Sequence, residues 1–370
     1  MPESRILVRP SLVRRILGHQ LVWPVLALLV LVAINVVALA FDLADRGETS
    51  SFLSVRMQDG HLYGNVIDIV RNSAPVMLVA LGMTLVIATR GIDLSVGAIA
   101  AIAAAVACTR IVGAGDEAAL STAVMASTYA VVVCLVLGAW NGFLVSVLGI
   151  QPIIASLVLM VAGRGISMAI TDGQITTVNN GYFSDLASGF VLTLPIAFLL
   201  ALAVFGLTAL LTRRTALGML IESVGINPEA SRLAGVRSRT IIWIVYAFSG
   251  FCSGVAGLVI AANTNSVNAN SLGLWIELDA ILAVVIGGTS LAGGRFSLTG
   301  TLIGALFIAT LARTVNNIGI PSELNYLFKA LVVIVVCLLQ SPKARALIRI
   351  RRSGPAAPTA SDLARAGSPA

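Results

Sequence analysis

The chain has 370 residues, of which 58% are hydrophobic and 11% are charged, and its mean hydropathy is +0.97. Soluble globular domains carry about 25% charged residues, so this composition excludes an ordinary soluble protein. The net charge of +7 does not indicate nucleic-acid binding, because the basic residues cluster in a few loops and tails. The composition predicts an all-α polytopic membrane protein, with membrane lipid around most of its surface.

Ten apolar segments predict membrane-spanning helices, which need about 20 residues each. In chain order they are Val22–Phe41, Ile67–Ala88, Leu94–Val112, Ala123–Leu148, Ile153–Ile170, Val191–Leu211, Ile241–Ala262, Leu278–Thr289, Leu298–Val315 and Leu327–Leu339. The first follows several arginines and ends near Ala38-Leu39-Ala40, which resembles a signal-peptidase site. Because its apolar run exceeds the roughly 7–15 residues of a signal-peptide core, a retained helix is expected, with cleavage as the alternative.

The basic residues orient these segments, since cytoplasmic loops are enriched in lysine and arginine. With a cytoplasmic N-terminus, 17 of the 24 basic residues lie on the cytoplasmic side, against only Arg46 and Arg56 on the other. A cytoplasmic C-terminus then requires that Leu278–Thr289 crosses the membrane or is equivalent to a crossing. The predicted regions are a basic cytoplasmic tail (1–20), a membrane domain (21–340) with a cytoplasmic loop (212–240), and a basic, then disordered, cytoplasmic tail (341–370).

Small residues spaced four apart predict close helix packing within this membrane domain. The pairs are Gly138 and Gly142, Gly250 and Gly254, and Gly300 and Gly304, and Gly97, Ala101 and Ala105 follow the same spacing. The similar turns Asp93-Leu94-Ser95 and Ser297-Leu298-Thr299 each open a helix after a glycine-containing loop. They suggest two related halves, an organisation common in transporters.

Ionisable residues at membrane depth are candidates for function, and this chain has few of them. Asp93 is expected to cap the third helix, with a role as an ion ligand as the alternative. Glu277 and Asp279 begin the eighth segment, where carboxylates favour the helix dipole. Arg164 lies well inside the fifth segment and should face the bundle interior near an acceptor. Structural and pathway roles are equally open for Arg164.

Catalytic and nucleotide-binding motifs are missing from the sequence. The only histidines are His19 and His61, and neither a Ser/His pair nor an HExxH motif can be built in the membrane. No G-x-x-x-x-G-K-[S/T] loop is present, so the chain cannot hydrolyse ATP through a P-loop of its own. Ion-driven carriers usually place acidic residues deep in their helices, and none lies at mid-span here. A passive or externally powered translocation subunit is favoured over an ion-gradient-driven carrier, and both over an intramembrane enzyme.

The loop from Thr212 to Thr240 is the longest polar interruption of the chain, and it predicts a short helix over Pro228–Ala234. Asn227 is a good N-cap, proline suits the first helical position, and Gly235 is placed to end the helix. A helix of about two turns is not stable alone in water and needs a surface to dock on.

Ala230, Leu233 and Ala234 form one small apolar face on this short helix, at spacings of three and four. Such a face suits docking into a groove of a soluble partner. The alternative is that the helix lies on its own bundle or on lipid headgroups.

Three stretches carry a resemblance to a known family. They are ALGMTLVIATRGIDLSVG (Ala80–Gly97), the loop Gly218–Val236, and ELDAILAVVIGGTSLAGG (Glu277–Gly294). From about Val66 to Gln340 the chain resembles the permease subunits of ribose/galactose-type ABC sugar importers, in the branched-chain amino acid/ribose permease superfamily. Within that family, details such as Leu274–Asp279 and Ser322–Asn325 look most like the galactofuranose importers.

The resemblance implies a transmembrane permease for a monosaccharide of the galactofuranose, ribose or galactose class in the bacterial cytoplasmic (inner) membrane. The implied partners are a cytoplasmic ATPase with two nucleotide-binding domains, a second permease subunit (identical or paralogous) and a periplasmic sugar-binding protein. No cofactor is expected on this chain, because the partner hydrolyses ATP.

The resemblance places Asn227, Glu229, Ala230, Arg232 and Gly235 in an ATPase-coupling helix, to which the apolar face described above adds Leu233 and Ala234. It also places Gly91 and Asp93 in the first family motif and Asp279 and Gly287 in the third. Together with Asn141, Arg164 and Glu277, these four residues are the candidates for the translocation pathway. Ser231 departs from the family pattern, where a second alanine is usual. Because it lies off the apolar face of the helix, docking is expected to survive this change.

Overall fold

A computed structural model describes residues 21–46, 52, 55–58, 61–191, 193–317 and 324–340, so both predicted tails (1–20 and 341–370) lie outside the described residues. The helices in this part of the chain are α1 (Val22–Arg46), α2 (Asn65–Ala88), α3 (Val96–Val112), α4 (Leu120–Ser146), α5 (Pro152–Ile170), α6 (Gly181–Ser188), α7 (Ile196–Arg214), α8 (Leu217–Ile226), α9 (Pro228–Leu233), α10 (Ser238–Thr264), α11 (Ile276–Ile286), α12 (Leu298–Asn317) and α13 (Asn325–Gln340). Short antiparallel pairs join β1 (Arg56–Gln58) to β2 (His61–Tyr63), β3 (Thr176–Thr177) to β6 (Ser266–Val267), and β4 (Phe190–Val191) to β5 (Leu194–Pro195).

Each of the ten predicted segments contains a helix, which confirms a mostly helical, polytopic membrane protein. Within the described residues, six helices are both long and apolar enough to cross a bilayer: α2, α4, α5, α7, α10 and α12. By contrast, α11 has only 11 residues. At 1.5 Å per residue it reaches about half of a hydrocarbon core of about 30 Å. The eighth predicted segment therefore does not cross the membrane as one helix.

The predicted start of the sixth segment, at Val191, was wrong. Val191 pairs with Leu194 in the β4–β5 hairpin, and α7 begins only at Ile196. The turn between the two strands contains Thr193 in the left-handed region (φ +73°), which breaks any helix started upstream. Apolar composition alone cannot separate such a short hairpin from the first turn of a membrane helix.

Burial separates the helices into an inner and an outer group. The most apolar windows of α2, α10 and α12 are 67–72% buried, whereas those of α4, α5 and α7 are only 22–28% buried. In α3, every residue from Val96 to Cys108 is buried. The bundle is therefore built around α2, α3, α10 and α12, and the exposed sides of α4, α5 and α7 are apolar surfaces suited to lipid or to another subunit.

Glycines on the inner helices α10 and α12 allow them to touch neighbouring helices through their backbones, as the four-residue spacings predicted. A Cβ atom added to Gly250 of α10 would lie 2.4 Å from the carbonyl oxygen of Cys134 in α4. One added to Gly304 of α12 would lie 2.0 Å from the carbonyl oxygen of Ala283 in α11. Real Cβ atoms do not approach so closely, so these glycines set the helix separation.

The described residues fall into two units, and the second begins at Tyr326. It contains nearly all of α13, which presents exposed apolar side chains at Leu327, Leu331 and Ile334. This composition matches the predicted last membrane segment.

Candidate coupling site and the buried polar cluster

The short helix α9 is present where its capping residues predicted it. The Asn227 side-chain oxygen accepts hydrogen bonds from the backbone N–H groups of Glu229 (3.1 Å) and Ala230 (3.0 Å). The helix ends at Leu233, one residue earlier than predicted, and Ala234 is its C-cap. The backbone N–H groups at the N-terminus of α9 are therefore satisfied within the chain.

The C-terminus of α9 closes in a Schellman motif. Gly235 adopts φ +86°, its N–H donates to the Arg232 carbonyl, and the Val236 N–H donates to the Ser231 carbonyl. This left-handed position explains why a glycine follows the helix. The motif turns the chain back at once into α10, which begins at Ser238.

One face of α9 points away from the protein. Leu233 is 78% exposed, and Ala230 and Ala234 are exposed beside it. On the opposite side Ser231 is buried, and the Ser238 hydroxyl donates to the Pro228 carbonyl at 2.9 Å. Ser231 thus lies off the exposed apolar face, as predicted, and this face is not covered by the protein's own described residues.

Arg232 pairs with its own helix. Its Nε and Nη2 atoms donate to the carboxylate of Glu229, one turn earlier, in a fork-like contact. The hydrogen bonds and charge of Arg232 lower the pKa of the Glu229 carboxyl. Because both side chains are exposed, this ion pair stiffens α9 only modestly.

An unpredicted apolar helix, α8, precedes α9 and holds it against the bundle. Ile221 and Val224 are completely buried. A Cβ atom on Gly225 would lie 1.8 Å from the carbonyl oxygen of Ala88 at the end of α2. This helix was not predicted, because the whole loop was interpreted as polar. The signal was present in the apolar pattern of Leu217–Ile226.

Three chain segments meet directly beside the start of α9, and we call residues 88–90, 225–226 and 292–294 the three-segment junction. Arg90 is its centre, since its Nε donates to the Ala292 carbonyl at 3.1 Å and its Nη2 donates to the Ile226 carbonyl. The Gly294 N–H donates to the Ala88 carbonyl at 2.9 Å. The junction thus combines the first and third sequence motifs with the coupling loop. No role for Arg90 was predicted, since its sequence neighbourhood shows only a positive charge at the end of a membrane helix.

A buried polar cluster lies behind this junction, and Asp93 is its centre. Asp93 Oδ1 accepts from the backbone N–H and the hydroxyl of Ser95 and from Asn141 Nδ2 of α4 (3.4 Å). Its Oδ2 accepts from the Ser249 hydroxyl of α10 at 2.9 Å. The N-cap residue of α3 is Ser95, so the expectation that Asp93 caps this helix was wrong. Instead, Asp93 joins the turn before α3 to two other helices.

The remaining pathway candidates are held by contacts within the chain. Arg164 Nη1 donates to the carbonyls of Ala269 (3.0 Å) and Leu272 (2.7 Å), which confirms the predicted acceptor. Glu277 is buried in the first turn of α11. Asp279 is half-buried in that same turn.

Two glycines among the pathway candidates lie at close contacts. A Cβ atom on Gly91 would lie 2.5 Å from the Tyr246 hydroxyl oxygen. One on Gly287 would lie 2.4 Å from the carbonyl carbon of Gly300. The structure therefore groups Gly91, Asp93 and Asn141 around α10 and places Gly287 in the α11–α12 contact.

The family model that describes the permease component of branched-chain amino acid transport systems matches residues 65–337. This match covers well over half of the chain. The chain belongs to this permease family. The predicted resemblance is thereby confirmed. The chain is the permease component of a transport system.

Relatives of the permease carry the names of sugar transporters. It is 46% identical over 307 residues to the galactofuranose transporter permease protein YtfT of Escherichia coli, covering 82% of this chain and 87% of the relative. It is 41% identical over 337 residues to the fructose import permease protein FruF of Bifidobacterium longum, covering 90% and 91%. It is 35% identical over 285 residues to the ribose import permease protein RbsC of Escherichia coli, covering 75% and 86%. No solved structure matches the permease.

Proposed function

We propose that the permease translocates a monosaccharide across the bacterial cytoplasmic membrane as the transmembrane subunit of an ABC importer. The names of its relatives, which specify galactofuranose, fructose and ribose, support a monosaccharide substrate. The relative at 46% identity favours a galactofuranose-like sugar within the galactofuranose, ribose or galactose class. The sugar is moved without chemical change, so the permease is not an enzyme and binds no cofactor of its own.

The exposed apolar face of α9 is the observation that carries this proposal. A leucine that is 78% exposed on a rigidly capped helix is suited to a groove on a soluble partner. We assign that groove to a separate cytoplasmic ATPase with two nucleotide-binding domains, which hydrolyses the ATP. Asn227 and Gly235 then fix the ends of the coupling helix, while Ala230, Leu233 and Ala234 form its docking face.

A second permease subunit, identical or paralogous, and a periplasmic sugar-binding protein complete the importer. Gly91, Asp93, Asn141 and Glu277 are buried inside the single chain, which supports a structural role for them. We therefore propose that the sugar passes between the two subunits. Closure of the ATPase moves the coupling helices, and the two bundles rock between outward-open and inward-open states.

We further propose that both termini are cytoplasmic and that the chain has two related halves. Because α11 is too short to cross, α11 and the loop 287–297 together take the place of the eighth crossing in this scheme. The balance of basic residues supports it, since 17 of 24 then lie on the cytoplasmic side.

The deciding experiment measures sugar uptake by the permease in liposomes, with and without its ATPase, its binding protein and ATP. We expect uptake only with all of these components. Leu233→Asp should abolish it while leaving membrane insertion and melting temperature unchanged, because the side chain is exposed. Leu233→Met keeps an apolar side chain and should retain coupling.

Two results would count against the proposal. Full uptake by Leu233→Asp would show that α9 is not the docking helix. Uptake by the permease alone, driven by an ion gradient, would instead establish a secondary carrier.

A further inference from the structure

We infer that Arg90 is a positioning residue that transmits movement of the coupling helix to α2 and to the α11–α12 loop. This inference rests on the proposed function of α9. It is carried by the three-segment junction, in which one guanidinium group joins two chain segments that are far apart in the sequence.

The two carbonyl groups that accept hydrogen bonds from Arg90 belong to different parts of the chain, the coupling loop and the third sequence motif. Ile226 is the last residue of α8 and immediately precedes Asn227, the N-cap of α9. Ala292 lies in the loop between α11 and α12, within the third sequence motif. Arg90 itself follows the end of α2 by two residues. A displacement of α9 therefore pulls on the Arg90 side chain through Ile226.

The chemistry of the contact requires an arginine. The last carbonyls of a helix have no partner within that helix, and Arg90 Nη2 donates to one of them at the end of α8. A positive charge at this helix end is also favourable to the helix dipole. The planar guanidinium presents several donors at fixed angles, so Nε can bind Ala292 while Nη2 binds Ile226. A lysine has one ammonium group and cannot reproduce this geometry.

The backbone around Arg90 is arranged to place its side chain. Arg90 adopts φ +64°, a left-handed conformation that is uncommon for residues other than glycine. Gly293, at φ +82°, leaves the space for the arginine stem, because a Cβ atom there would lie 2.4 Å from Arg90 Cγ. For an arginine, this left-handed conformation persists only where surrounding contacts over-determine it.

The backbone segments of the three-segment junction are closely packed. The Gly294 N–H donates to the Ala88 carbonyl, and a Cβ atom on Gly225 would lie 2.6 Å from the Gly294 nitrogen. Close-packed segments respond to a local push as a unit. From this junction α2 continues into the buried core, where it contacts α10 and α12. Movement of α9 is thus delivered to the inner helices of the bundle.

The test compares the ratio of sugar transported to ATP hydrolysed in the reconstituted importer for wild-type permease, Arg90→Met and Arg295→Met. Arg295 is the matched control, because it is exposed next to the junction and makes no hydrogen bond or ion pair with the described residues. We expect Arg90→Met to assemble with the ATPase, as judged by co-purification, and to hydrolyse ATP. Its transport ratio should fall about tenfold, the order expected for losing hydrogen bonds from a charged group. The ratio for Arg295→Met should equal that of wild type.

If Arg90→Met does not assemble with the ATPase, Arg90→Lys tests the same role. Arg90→Lys retains the charge, and it should assemble yet show a similarly lowered ratio. An unchanged ratio in whichever arginine variant assembles would overturn the inference. The failure of wild-type permease to transport sugar with ATP would instead reject the proposed function.

Discussion

The Ser249 hydroxyl donates to Asp93 Oδ2 at 2.9 Å, and both residues are completely buried. This hydrogen bond joins the turn that follows α2 to the middle of α10. Buried carboxylates are tolerated only where several donors surround them. The cluster therefore fixes the turn between α2 and α3 against α10, shortly after Arg90 in the sequence.

Ser249→Ala should destabilise the permease by about 1–3 kcal/mol, because it leaves one oxygen of a buried carboxylate without its donor. The apparent melting temperature can be measured in detergent with a thiol-reactive dye. In a Cys337→Ser background the dye reports on Cys108, Cys134 and Cys252, which are buried and free and therefore react on unfolding.

Ser253→Ala is the matched control for this prediction. Ser253 is equally buried one turn later on α10, but its hydroxyl donates only to the Ser249 carbonyl of its own helix. Its loss leaves no buried group without a partner, and we expect a distinctly smaller decrease in melting temperature. Equal decreases for the two variants would contradict the role assigned to the Asp93 contact.

Gly250→Ala should weaken the packing of α10 on α4. The added methyl group would lie 2.4 Å from the Cys134 carbonyl oxygen, so the two helices must separate. Overpacking of this kind costs about 1–3 kcal/mol. Gly206→Ala in α7 is the control, because a Cβ atom there meets no atom within 4 Å. A lower melting temperature for Gly250→Ala alone is the expected result, and equal melting temperatures would show that the bundle adjusts freely.

The sequence predicted those features that depend on local chemistry. The N-cap Asn227 and the terminating Gly235 located α9 to within one residue, because capping groups act on their own helix. The spacing of Gly250 and Gly254 likewise predicted a close helix contact. Such signals need no knowledge of the tertiary fold.

Features that arise from contacts between distant segments could not be predicted in the same way. Nothing in the neighbourhood of Arg90 indicates that its acceptors are Ile226 and Ala292, which lie 136 and 202 residues later. Asp93 was interpreted as a helix cap because its donors Asn141 and Ser249 are equally remote in the sequence. Only the folded chain brings these groups together.

Arg164 is the residue for which structural and pathway roles were equally open, and its contacts favour a structural role. Its guanidinium donates to the carbonyls of Ala269 and Leu272, two buried residues in the segment between β6 and α11. Arg164→Met keeps the apolar stem but removes the donors. We expect a loss of about 1–3 kcal/mol, the cost of leaving buried carbonyls unpaired.

The measurement that separates the two roles is uptake per folded transporter, determined beside the melting temperature. For Arg164→Met we expect a lower melting temperature with uptake within about twofold of wild type below that temperature, since a structural hydrogen bond affects stability and not the path. Arg110→Met is the control, because the Arg110 guanidinium lies over the Tyr129 ring at 4.4 Å and an exposed contact of this kind contributes only about 0.5–1 kcal/mol. Loss of uptake at an unchanged melting temperature would instead place Arg164 on the sugar's path, because a purely structural residue cannot produce that combination.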